Sequence, residues 1–366
     1  TATAAIPGNR RVPTAPRPAI QPAIHRNPTM TARPFDDFRA LLPLLPEASE
    51  VSVAAVRARD ARLTKPAGSL GRLEEIVEFL AAWQAKAQPT VERPTVAVFA
   101  ANHGVAAQGV SAWPSSVTRQ MVTNFGAGGA AINQICGAYG AGLKVFELAL
   151  DIPTRDITQE PAMTEAECAA TIAFGMAAIS GADLRGLGEM GVANTTSAAA
   201  RYCALYGGRA QDWVGRGAGV DDAGLARKIA AVERAVALHG AHRDDPLELL
   251  RRLGGREIAA LAGAILAARM ERVPVLLDGY VVCAAAAVLQ ALDPATLDHC
   301  MAAHLSAEGA HGDVLRRLGK KPLLDLGMRL GEGSGAGLAI GVAQAALACW
   351  RDMATFESAG VSGGAA

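Results

Sequence analysis

Apolar positions along this chain fall into runs of two kinds. Short continuous runs rich in Val, Phe and Leu, at residues 95–100, 143–150 and 273–277, have the length and composition of strands buried in a parallel sheet. A further short run around Leu184 and Leu187 leads into a glycine turn and then an Ala-rich segment, which reads as strand, turn, helix. Longer stretches at 70–86, 223–238, 258–270, 281–292 and 337–353 carry helical periodicity. The alternation predicts an α/β fold, an open and mostly parallel sheet flanked by helices. In such a sheet the loops leaving the carboxyl ends of the strands gather ligands. No repeat of solenoid period occurs, and no linker within 90–330 divides the main domain.

Composition narrows the picture. A chain of 366 residues, 51% hydrophobic, suffices for one large α/β domain plus a smaller one. Thirty-five basic residues balance 35 acidic ones, which argues against nucleic acid or an anionic membrane surface as the main partner. No apolar run reaches the length of a membrane span, so a soluble, cytoplasmic protein acting on small molecules is expected. Residues 1–33 are rich in Pro, Ala, Thr and Arg, with no acid before Asp36, and are expected to be a disordered extension, Met30 being an alternative start. Their Arg-rich, acid-free character also resembles a transit peptide, the weaker of the two readings. The six cysteines include no Cys-x-x-Cys pair and read as small buried hydrophobes in a reducing compartment. His304 and His311 lack a zincin spacing, and neither metal nor cofactor is expected.

Candidate chemistry concentrates in glycine-bracketed segments. Gly331-Glu332-Gly333 places one carboxylate between glycines just before an apolar helix. Desolvation there would raise its pKa toward neutrality, as a general base requires; the plainer alternative is that Glu332 caps the helix. Gly188-Glu189-Met190-Gly191 continues into Asn194, Thr195 and Thr196 at a helix start, which either binds phosphate or is an ordinary N-cap. Arg216, between Gly215 and Gly217, is exposed for bidentate phosphate binding. Asp278 ends an apolar strand and either binds a ribose or caps the next helix. Ser306 is a donor or a turn hydroxyl. Trp113, Pro114 and Met121 offer faces for a flat ring, or belong to the core. Lys228, on spacing alone, is a solvated surface lysine.

These segments stand in a fixed order with others: Lys65-Pro66-Ala67-Gly68-Ser69-Leu70-Gly71, Ala101-Asn102-His103-Gly104, Gly109-Val110-Ser111-Ala112-Trp113-Pro114, Asn124-Phe125, Gly128 to Asn133, Val214 to Asp222, Gly254-Gly255-Arg256-Glu257, Leu277-Asp278-Gly279-Tyr280 and His304-Leu305-Ser306-Ala307-Glu308. From about residue 41 to 361 the chain resembles the nicotinate-nucleotide–dimethylbenzimidazole phosphoribosyltransferase family. It departs at Asn102, where the family commonly has Asp, and at Gly309, where Pro is often found. The resemblance implies a Rossmann-like catalytic domain over 91–335 and a small discontinuous helical domain from 34–90 plus 336–366, in a homodimer. It implies transfer of a 5-phosphoribosyl group from nicotinate mononucleotide to 5,6-dimethylbenzimidazole or a related base, giving α-ribazole 5′-phosphate for the lower ligand of cobalamin. Glu332 would be the base and Glu189 the second catalytic carboxylate. Phosphate and ribose would be held by Gly191, Asn194, Thr195, Thr196, Arg216, Gly217, Lys228, Asp278 and Ser306, and the incoming base by Trp113, Pro114 and Met121.

Two other classes fit less well. A dinucleotide-binding oxidoreductase needs Gly-x-Gly-x-x-Gly after its first strand, where this chain has Ala101-Asn102-His103-Gly104. A non-catalytic nucleotide sensor or carrier has no need of both Glu189 and Glu332.

Overall fold

The computed structural model describes residues 33–178 and 181–362, so the expected N-terminal extension lies, but for its last residue, outside the described residues. Five strands, β1 (Pro94–Ala100), β2 (Gly142–Glu147), β3 (Leu184–Met190), β4 (Val275–Leu277) and β5 (Cys300–Ala302), form one sheet in the order β2-β1-β3-β4-β5. Every pairing is parallel. The chain winds outward from β1 to β2, then returns past β1 to build the other half, so the strand order reverses between β1 and β3. A crevice opens at such a point beyond the carboxyl ends of the strands.

Around the sheet run helices α1 (Arg72–Gln84), α2 (Glu165–Ala177), α3 (Asn194–Tyr206), α4 (Asp222–His239), α5 (Arg256–Met270), α6 (Tyr280–Leu292) and α7 (Ser334–Asp352). The two-residue period of β1 sorts them. Ala97 and Phe99 face a core shared with Ile172 of α2, Ala198 of α3, Ile265 of α5 and Val288 of α6. Val96 and Val98 face the opposite layer, with Ile76 and Leu80 of α1, Ile132, and Ile340 and Leu347 of α7. That second layer therefore combines segments from both ends of the chain. Trp350 Nε1 donates to the carbonyl of Val56 at 3.1 Å, and Arg59 Nε donates to the carbonyl of Trp350 at 2.9 Å.

Helices expected from periodicity appear within a few residues of their expected ends. The run 143–150, expected to be a buried strand, is instead the edge strand β2, ending at Glu147, with Gly142, Lys144 and Glu147 exposed. It pairs with β1 alone, leaving its other edge without a neighbouring strand. Strand β5 carries no pattern of its own, since three residues are too few for alternation to register. Among the described residues no helix is long and apolar enough to cross a membrane.

Candidate active site

The crevice holds a cavity of about 760 Å³ lined by residues that follow β1, β3, β4 and β5, together with the turn preceding α7. Two glycines of β3 bring that turn onto the sheet. A methyl group at Gly186 would press on Ala336 Cβ at 3.2 Å, and one at Gly188 would stand 2.6 Å from Gly333 Cα. With neither present, the start of α7 rests directly on β3 beside Glu189.

The turn itself is unusual. Gly331, Glu332 and Gly333 all have positive φ, 78°, 61° and 76°. For glutamate this conformation costs roughly 1–3 kcal/mol, and it persists only where the surroundings impose it. Asp278 supplies much of that constraint: its Oδ2 accepts from Gly333 N at 3.2 Å and its Oδ1 from Ala336 N at 2.9 Å. The cap of α7 is thus Asp278, reaching from the end of β4. Glu332 does not cap this helix, whose N-cap is Gly333 without a side-chain bond. It lines the cavity with 6% of its surface exposed. Burial, and next the nearby Asp278, push its carboxyl up to about 7.

Glu189 lies across the turn. A methyl on Gly331 would meet its Oε1 at 2.5 Å, and its Oε2 accepts from Asn194 Nδ2. Burial, then the carboxylates of Glu257 and Asp278, hold Glu189 well above the usual carboxylate range, against the bond from Asn194. Both acids are therefore raised. Asp278, buried beneath them, is raised as well by desolvation.

A cationic end lies beyond the start of α3. Lys228 is buried and donates from Nζ to Thr195 Oγ1 at 2.7 Å and to the carbonyl of Gly215 at 2.9 Å. Burial lowers its ammonium to about 8, opposed by Glu308. Arg329 Nη1 donates to the carbonyl of Gly217 at 2.8 Å. Arg216 lines the cavity too, with its guanidinium on Asp222 Oδ1 (2.5 Å) and the carbonyl of Val220 (3.0 Å). Val110, Trp113, Val117, Met121 and Leu330 give the same cavity apolar faces. Trp113 is 54% exposed, so it belongs to the rim and not to the core.

Of the residues singled out from sequence, Glu189, Glu332, Gly191, Asn194, Thr195, Arg216, Gly217, Lys228, Ser306, Trp113 and Met121 line this cavity, while Thr196, Asp278 and Pro114 do not. Thr196 is fully buried in α3. Among the described residues no group of three or more His, Cys, Asp or Glu could hold a metal ion.

A sequence model of the phosphoribosyltransferase family matches residues 45–361. The nicotinate-nucleotide–dimethylbenzimidazole phosphoribosyltransferase of Methylocella silvestris is 70% identical over 333 residues, which cover 91% of this chain and 98% of that one. Its counterpart of the same name in Rhizobium rhizogenes is 63% identical over 335 residues, 91% and 99% of the two chains. The chain belongs to the nicotinate-nucleotide–dimethylbenzimidazole phosphoribosyltransferase family. The crystal structure of CobT from Thermus thermophilus shares its fold, with a TM-score of 0.79 at 42% identity over 86% of this chain and all of that one.

Membership directs attention to lining residues that carried no role in the sequence reading. His304, Glu308, Arg329 and Tyr280 all border the cavity. Each stood inside a motif segment, Arg329 in the stretch that carries Glu332, three residues before it.

Proposed function

We propose that this protein transfers the 5-phosphoribosyl group of nicotinate mononucleotide to 5,6-dimethylbenzimidazole or a related base, releasing nicotinate and forming α-ribazole 5′-phosphate for the lower ligand of cobalamin. The observation that carries the reading is the lining of one cavity, in which cations, apolar faces and two buried acids come together. Phosphate goes to Lys228, Arg216, Arg329 and the start of α3, where charge-assisted bonds and the positive end of the helix suit it. The flat bicyclic base goes between Trp113, Val117, Met121 and Leu330.

In the donor, nicotinate is a pyridinium and leaves without protonation, while positive charge develops on the ribose. The incoming ring nitrogen attacks the anomeric carbon, and the proton on the other ring nitrogen must go to a base. Glu332, poised near 7, accepts it. Glu189, raised in the same direction, is the second carboxyl of the site, which stabilises the positive charge developing on the ribose or shares the proton relay. No cofactor or metal enters the scheme. A sensor or carrier would need no such base, and the raised pKa of Glu332 favours the enzyme.

Two further expectations belong to this reading. The layer built from residues 34–90 and 336–366 is a small discontinuous domain, supported by the common core of α1 and α7, and the protein acts as a cytoplasmic homodimer, which a solution mass of twice 37.6 kDa would support and a single-chain mass would contradict. The reaction is tested by mixing protein, nicotinate mononucleotide and 5,6-dimethylbenzimidazole. Release of nicotinate matched by riboside is expected; donor binding without release would favour a carrier.

A further inference from the structure

Two motif segments play no part in the scheme above: Ala101-Asn102-His103-Gly104 after β1 and Gly254-Gly255-Arg256-Glu257 before α5. The fold joins them. His103 Nε2 and Glu257 Oε1 are 2.6 Å apart, with both side chains buried, 2% and 0% exposed. The contact depends on Gly255, where a methyl would stand 2.7 Å from His103 Cε1 and 2.9 Å from Glu257 Oε2. The same nitrogen lies close to the turn between β3 and α3, since a methyl at Gly191 would lie 3.3 Å from His103 Nε2 and 2.9 Å from the carbonyl of Ala101. That turn carries Glu189, Gly191 and Asn194.

We propose that His103 and Glu257 are a positioning pair for Glu189, bracing the β3–α3 turn from behind and setting a fixed carboxylate on the buried side of the catalytic one. Neither lines the cavity, so the pair acts through Glu189 and touches no substrate. The inference rests on the phosphoribosyl-transfer reading only for its kinetic consequences. Groups facing Glu189 come from four elements: Asn194 of α3 by hydrogen bond, Glu257 of α5, Asp278 at the end of β4, and Glu332 before α7. Arg201 of α3, itself buried, faces Glu257 from behind. Of the three acids, Glu257 acts most strongly to keep the proton on Glu189. A second buried oxygen of Glu257, Oε2, has no hydrogen-bond partner within the protein.

The test does not need turnover. In the ligand-free protein, the carbonyl stretch of protonated Glu189, assigned by its loss in Glu189→Gln, is followed by infrared difference spectroscopy against pH. Glu257→Gln, which keeps shape and hydrogen bonding but removes the charge, is expected to lower the titration midpoint by about one unit or more, while Glu257→Asp keeps it near wild type. An unchanged midpoint in Glu257→Gln overturns the inference, whatever the activity. His103→Gln serves if the Glu257→Gln protein does not fold: it is expected to lower kcat at least ~10-fold with the donor KM little changed, because a displaced carboxyl loses alignment and not affinity. A kcat within about two-fold of wild type, or equal losses in kcat and thermal stability restored by no conservative variant, would contradict it. Failure of the wild type to release nicotinate would instead count against the proposed reaction and leave the infrared result standing.

Discussion

Glu332 carries the clearest consequences among single residues. A base must be ionised to act, so kcat/KM should fall as pH drops through about 7, the value to which burial pushes this carboxyl. Stability follows the opposite course. The folded protein holds the Glu332 proton more tightly than the unfolded chain does, so this burial is free of penalty below the ordinary carboxylate range. Above it, the penalty grows until pH passes about 7. Glu332→Gln should therefore raise Tm at pH 8.5 by a few degrees, for a gain of about 1–2 kcal/mol after allowing for partial solvent contact, and leave it unchanged at pH 4. Equal shifts at both pH values would show that strain, not charge, had been relieved. Lys228 makes a second prediction: with its ammonium lowered to about 8, the donor KM should rise above that pH, and Lys228→Met should raise it roughly 10- to 100-fold at neutral pH. Glu332 and Glu189 were legible in the sequence because glycines bracket them, a pattern that local reasoning can see. Lys228 was legible only through the family resemblance, since its burial comes from the 215–217 loop and the α3 turn closing over it, contacts that no spacing within α4 reveals.

Between elements, the decisive packing is the start of α7 on β3. Gly188 is the point of closest approach, and Gly188→Ala should push the 331–333 turn off the sheet. Overpacking of this kind costs about 1–3 kcal/mol, so denaturant unfolding should show a loss of that order, and kcat should fall well beyond what stability explains. Retained kcat would mean that the turn tolerates displacement. Asp278 ties the same junction through the N–H groups of Gly333 and Ala336; from sequence it was held evenly between ribose binding and capping the helix next in the chain. It caps a helix, but a distant one, Ser334–Asp352, a partner that only the tertiary fold could name. The principal helices and four of the five strands were legible from the apolar pattern. The edge character of β2 and the existence of β5 were not, because burial of a strand depends on its neighbours in the sheet and three residues hold no period.

Across the whole molecule, the reversal of strand order between β1 and β3 turns scattered motifs into one cavity, and the order of those motifs in the chain already implied the family. That cations at the start of α3, apolar faces after β1 and the two acids share one cavity came only from geometry. The account turns on proton removal by Glu332 in that setting. The most direct measurement is a single-turnover reaction of nicotinate mononucleotide with 5,6-dimethylbenzimidazole, comparing the wild type and Glu332→Gln with donor affinity measured separately. The account predicts a loss of about 10² to 10⁴-fold in the rate of riboside formation, an acid limb near pH 7 in the wild type that vanishes in the variant, and donor affinity little changed. Riboside formed by Glu332→Gln at close to the wild-type rate, with the acid limb still in place, would contradict it.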